Sequence, residues 1–146
     1  MNEAEQKTLA DLEWAEVERA VAERCAGPLR DQLALPLAVS FEETERALAE
    51  SKEAWGFLDR GEPLPLEGLC DIAASLKHLE REGVLDGSAL KDIRFTLRAA
   101  SALRRFLGQR KERAPYLHRV CAIDPTLDSL EEELAMSIGD DGTILD

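Results

Sequence analysis

The sequence predicts an all-α protein, an irregular bundle of about six to seven helices, and three observations carry that expectation. The apolar fraction of 45% is mostly Leu and Ala with only 5% aromatic. These residues lose little conformational freedom in a helix, and the many Glu and Arg behave alike. Apolar residues also step by three and four, most clearly at Leu90, Ile93, Leu97, Ala100, Leu103 and Leu107. Finally, Gly and Pro punctuate the chain at helix-length intervals. Short extended or β segments are expected only near residues 62–69 and 143–145.

Residues 9–25 read as a first helix, with Trp14, Val17, Val21 and Cys25 on one face. Gly27-Pro28 ends it and opens a short second helix that stops near 35–37, Pro28 lying in the first turn where its missing N–H costs nothing. "SFEE" (Ser40 to Glu43) is a capping box, and it starts a helix to about residue 59. In that helix Phe41, Leu48 and Trp55 repeat every seven residues, Leu58 joins their face, and Gly61 is the stop. "EPLPLEGL" (62–69) has two prolines and a glycine and must be extended. A helix over 71–82 carries Ile72, Leu76 and Leu79, closed by Gly83. The long periodic block begins at Ser88, and Gly108 either frays it or lies inside it. Pro115 starts a short segment with Leu117, Val120 and Cys121, and Asp128 with Glu131 forms a second capping pair for a helix striped by Leu130, Leu134 and Ile138.

At 146 residues the chain is expected to form one helical domain, residues 1–146, with enough length for a core. The net charge of −12 opposes a stand-alone nucleic-acid binder, which needs surplus Lys and Arg to neutralise phosphate. That charge is segregated. Residues 1–67 carry 16 acids and 7 bases, residues 68–123 carry 6 acids and 11 bases, and residues 124–146 carry 8 acids and no base. The basic middle peaks at "RRFLGQRKER" (Arg104 to Arg113), with Arg94 and Arg98 one and two turns earlier. Its functional reading is nucleic-acid phosphate contact through Arg104, Arg105, Arg110, Lys111 and Arg113. The structural reading, favoured by the overall charge, is a helix C-terminus complementing the macrodipole and pairing with the flanking acids.

Other chemistry is sparse. No GxxxxGK[ST] or GxGxxG loop is present to cradle a phosphate. His118 and Cys121, with Cys70 and His78, could in principle supply metal ligands, but the cysteines read as reduced core thiols and the histidines as surface residues. The carboxylates fall at solvent-facing helical spacings among Arg and Lys, as Glu42 does with Arg46. No catalytic, cofactor-binding or metal-ligating residue is assigned. An odd count of three widely spaced cysteines and the lack of a membrane-length apolar run or a leader point to the cytoplasm.

The blocks together resemble the type-two MutS proteins (MutS-II). "KTLADLEWAEVERAVAERC" resembles their opening helix, and "LPLAVSFEETERALAESKEAWGFL" their next signature. "LPLEGLCDIAASLKHLEREGVLDGSALKDIRFTLRAASALRRFL" is similar to the segment that follows, and "SIGDDGTILD" to the lead-in to the clamp helices. "CAGPLRDQ" departs from the family's usual turn. The resemblance covers the whole chain in order. It implies the N-terminal core or lever region of a longer protein that continues into clamp helices, a dimerising ATPase domain using ATP and Mg, and often a nuclease domain. It further implies a non-catalytic role here, coupling that ATPase to a nucleic-acid clamp in recombination control, DNA repair or ribosome quality control. Branched DNA or the ribosome is the implied partner, and no membrane is. The other reading of the residues is a stand-alone acidic helical interaction module, favoured by residues 124–146.

Overall fold

A computed structural model of the chain describes residues 3–25 and 40–145. The expected second helix near 27–37 lies outside them. Seven α-helices and no strands are present among the described residues, so the chain is all-α as its pattern predicts. It divides into two compact units, Met1–Leu37 and Ala38–Asp146.

In the first unit, helices α1 (Glu3–Asp11) and α2 (Trp14–Ala22) replace the single helix expected over 9–25. The break lies at Glu13, whose φ of 53° is left-handed. Its amide donates to Ala10 O at 3.0 Å, and its carbonyl accepts from Glu16 at 2.9 Å, so one helix ends and another begins within a turn. The apolar steps continue across this joint, and periodicity alone cannot register a one-residue reversal.

The second unit begins with α3 (Phe41–Asp59). Ser40 caps it, its hydroxyl accepting from Glu43 N at 3.2 Å as the capping box predicts. Gly61 at φ +70° supplies the left-handed stop. The face expected from the seven-residue repeat is exposed, however, and the helix instead buries Phe57 completely. Residues 62–69 are non-helical, with a turn at Gly68. They are tied to the following long helix by a reciprocal pair, Cys70 N donating to Thr96 Oγ1 (3.1 Å) and Thr96 Oγ1 to Cys70 O (3.3 Å).

Helix α4 (Ala73–Leu79) is shorter than the expected 71–82. Asp71 accepts from Ala73 N at 3.0 Å at its start, and Glu82 at φ 61°, rather than Gly83, makes the left-handed turn at its end. Helix α5 (Gly87–Gly108) is capped by Asp86, which accepts from Ala89 N at 2.8 Å, and Gly108 is its last residue. Helix α6 (Pro115–Val120) has proline in its first turn, as expected.

Helix α7 (Leu127–Ser137) starts one residue before the expected Asp128 cap. Thr126 is its N-cap without a side-chain bond, and Asp128 is drawn away toward α5. After α7 the "IGDDGTI" stretch folds back on itself. Ile138 and Ile144 form an antiparallel bridge, and Gly139 N donates to Thr143 O at 2.7 Å. Asp141 accepts from Thr143 N (3.0 Å) and its hydroxyl (2.7 Å), and Gly142 turns the chain at φ +87°.

The core joins α3, α5 and α6. Phe57, Leu107 and Ala114 are fully buried, and Leu64, Leu103, Phe106, Leu117 and Cys121 pack around them. Phe57 meets Phe106 edge-to-face with centroids 5.1 Å apart, a preferred aromatic geometry. Each fully buried large side chain contributes about 1.5–3 kcal/mol. A second contact runs along α5 and α7, where Ile93, Ala99 and Ile138 are buried.

Candidate nucleic-acid interface

The C-terminal half of α5 and the turn after it bring the five basic residues singled out by the sequence into one stretch. Arg104 donates to Asp128 of α7 and Arg105 approaches the same oxygen at 3.4 Å. Arg110 Nε and an Arg113 nitrogen each meet a different oxygen of Glu62 at 3.0 Å. Two acids thus hold four of these five basic residues, and Glu62 also meets Arg60 at 3.7 Å.

The rings beneath complete the arrangement. The Arg110 guanidinium lies 3.9 Å from the Phe106 centroid, and Arg113 and Arg60 flank Phe57 at 5.5 and 5.4 Å. Stacked guanidinium groups shield their ring faces while keeping their edges for carboxylate. The Arg113 and Arg110 hydrogen bonds hold the Glu62 carboxyl below its usual range, and Arg104, chiefly, does so for Asp128. Lys111 is exposed and has no ion pair among the described residues.

The upstream arginines diverge. Arg98 is exposed and stacks 4.8 Å from the Phe95 centroid. Arg94 turns inward, 5% exposed, and donates to Ile138 O and to Asp140. It therefore fastens the 138–144 turn to α5 rather than extending an outward stripe. Its Nε is buried without a partner, so the fastening is incomplete. The sequence reading also missed Glu53, whose carboxylate accepts from Tyr116 N (3.2 Å) and Leu117 N (2.8 Å) and caps α6 from α3. A capping acid distant in sequence leaves no local signal.

The thiols are free and half-buried. Burial pushes the Cys70 and Cys121 thiols up, with Asp92 and Glu50 adding to it respectively. Cys121 and His118 flank the end of α6, and among the described residues no group of three or more His, Cys, Asp or Glu could hold a metal ion. No helix among them is long and apolar enough to cross a membrane. An open groove of about 740 Å³ between α3 and α6 has mixed charge, with Glu42, Glu45, Arg46, Tyr116 and Arg119 in its walls.

These features define a class: an all-α unit whose basic stretch is knitted into the fold by carboxylates. Comparison with known proteins gives the family. Over 144 residues the chain is 32% identical to a protein named Endonuclease MutS2 from Symbiobacterium thermophilum, spanning 97% of this chain and 18% of the relative. It is 30% identical to the MutS2 of an Anaeromyxobacter species over 142 residues and 29% identical to that of Listeria welshimeri over 147, covering 18% and 19% of those proteins. The chain is a homologue of one segment of the MutS2 proteins, as its ordered motifs imply, and it spans about a fifth of their length. No family model matches it, and no solved structure does.

Proposed function

We propose that the chain is a non-catalytic core or lever segment of a MutS2-type ATPase, transmitting the state of the ATPase domain to a nucleic-acid clamp. The observation that carries this reading is the MutS2 match, which runs through 97% of the chain while covering only 18% of the relative. Supporting it, the cross-ties from α5 to α7, to Glu62 and to the 138–144 turn are the kind that make several helices move as one body. In this reading ATP and Mg are bound elsewhere in the intact protein, which dimerises through its ATPase domain and acts in the cytoplasm on branched DNA or the ribosome.

Arg104, Arg105, Arg110, Lys111 and Arg113 are its proposed phosphate contacts. Four of them already hold carboxylates, so phosphate must compete with Asp128 and Glu62, and Lys111 offers the charge that needs no exchange. The test is a chimaera in which this chain replaces the matched segment of Symbiobacterium MutS2. With Arg94→Ala and Asp128→Ala added, basal ATP hydrolysis persists while its response to branched DNA or ribosomes is lost. An undiminished response to both ligands overturns the lever reading.

The second reading, an acidic helical module that docks on a basic partner, is favoured by the 8 acids and no base in residues 124–146. It predicts binding to basic protein and none to DNA by the 146-residue chain alone.

A further inference from the structure

Carboxylate and phosphate offer arginine the same thing, anionic oxygens placed to accept from its planar fork of N–H donors. Asp128 and Glu62 therefore stand on the basic stretch where a phosphate also fits. One oxygen of Asp128 serves both Arg104 and Arg105, and the carboxylate of Glu62 serves Arg60, Arg110 and Arg113. Arginine outnumbers acid at both places, so each keeps positive charge that its one carboxylate does not cancel.

Neither acid is sealed in. The side chains of Asp128 and Glu62 are 28% and 31% exposed, and ion pairs this open to water add little to stability. The guanidinium groups around Glu62 also have a second support. Arg110 lies over Phe106, and Arg60 and Arg113 lie over Phe57, which is buried in the core. A stacked guanidinium keeps its place when its carboxylate leaves, and its edge is then open to another anion. Asp128 projects from the first turn of α7, and Glu62 from the non-helical stretch after α3. An exchange of anions would free those two elements and leave α5 where it is.

We propose that Asp128 and Glu62 are latches over a phosphate site, and that a nucleic-acid backbone opens them by taking their place on the arginines. This rests on the reading of the basic stretch as phosphate contacts and adds its regulation. The free protein holds its own site shut. Occupancy unties the first turn of α7 from α5, while Arg94 keeps the far end fastened through the Ile138 carbonyl.

The test is anisotropy of a fluorescein-labelled four-way DNA junction titrated with the 146-residue chain at about 100 mM salt, where exposed charges beyond about 10 Å are screened. Glu62→Gln with Asp128→Asn should bind about tenfold more tightly than the unaltered chain, and each single variant about threefold. Glu132→Gln with Glu133→Gln removes the same charge from exposed positions of α7 and should change affinity by less than about twofold. Saturating junction should speed amide hydrogen exchange over residues 130–133 in the unaltered chain and leave it unchanged in the double latch variant, where it is already fast. A latch variant that binds no better than the Glu132 and Glu133 control overturns the proposal, as does exchange that the junction does not speed. Lys111→Gln separates this from failure of the underlying reading. If Lys111→Gln weakens junction binding, the phosphate contacts stand even where the latch fails. If neither the chain nor any variant binds the junction, both fall. Poly-glutamate that gains affinity for the latch variant while the junction does not makes an acidic protein the occupant and also overturns the proposal.

Discussion

Helices α3 and α5 carry equally clear apolar stripes, yet only one of them is core. The stripe of α5 steps by three and four and packs against both α6 and α7. Leu107 and Ile93 are buried accordingly. The stripe of α3 has the same spacing, faces away from Phe57, and leaves Phe41, Leu48, Trp55 and Leu58 exposed. The lesson is that an apolar repeat identifies a surface a helix wants covered, while its period does not say by what. Ile93, Ala100 and Leu107 repeat by sevens just as Phe41, Leu48 and Trp55 do, and only the packing around each helix separates the two.

The sharpest way to break this comparison is to truncate one residue on each side of α3. Phe57→Ala should cost about 3–5 kcal/mol in urea denaturation, since a fully buried aromatic leaves a cavity. Phe41→Ala should stay within about 0.5 kcal/mol, as exposed positions do. Equal losses would erase the distinction between the two faces.

The next largest effect is expected at the join of α5 and the terminal turn. A Cβ on Gly87 would collide with the Gly142 carbonyl, which is backbone and cannot step aside. Gly87→Ala should cost about 1–3 kcal/mol, as overpacked sites do, whereas Gly108→Ala has open space and should be stabilising by about 0.4–1 kcal/mol. Differential scanning calorimetry separates the two by sign. Arg94→Met should follow at about 1–2 kcal/mol, removing a buried bond to the Ile138 carbonyl.

The smallest effect concerns pH. The folded carboxyls of Glu62 and Asp128 titrate below their unfolded values because arginine favours their charged form. Their stabilisation is therefore fully present above the unfolded carboxylate range, about pH 4, and fades as pH falls through the lower folded values. Urea midpoints between pH 6 and 3 should fall, and Glu62→Gln should flatten part of that slope. A slope unchanged in Glu62→Gln would remove Glu62 from the account.

Much of the fold was legible because its signals are local. The Ser40 cap, the Gly61 stop, the Pro115 start and the span of α5 each rest on a few adjacent residues. What was illegible depends on distant partners or on single dihedrals. Glu13 breaks the first helix by one reversed φ, and Glu82 takes the turn expected of Gly83. Asp128 looked like a capping acid with Glu131 and proved to be a ligand for Arg104, a choice made by packing α7 against α5. The basic stretch was found by composition, but the two acids that hold it, Glu62 and Asp128, lie 48 and 24 residues from their arginines.

Those ties are the central claim, and the urea midpoint of Glu62→Gln with Asp128→Asn at neutral pH tests it most directly. If the arginines are built into the fold, the midpoint falls in the double variant and stays put in Lys111→Gln. An unchanged midpoint in the double variant would mean that the four arginines stand open to solvent, and the account of the basic stretch as an internal fastening would be contradicted.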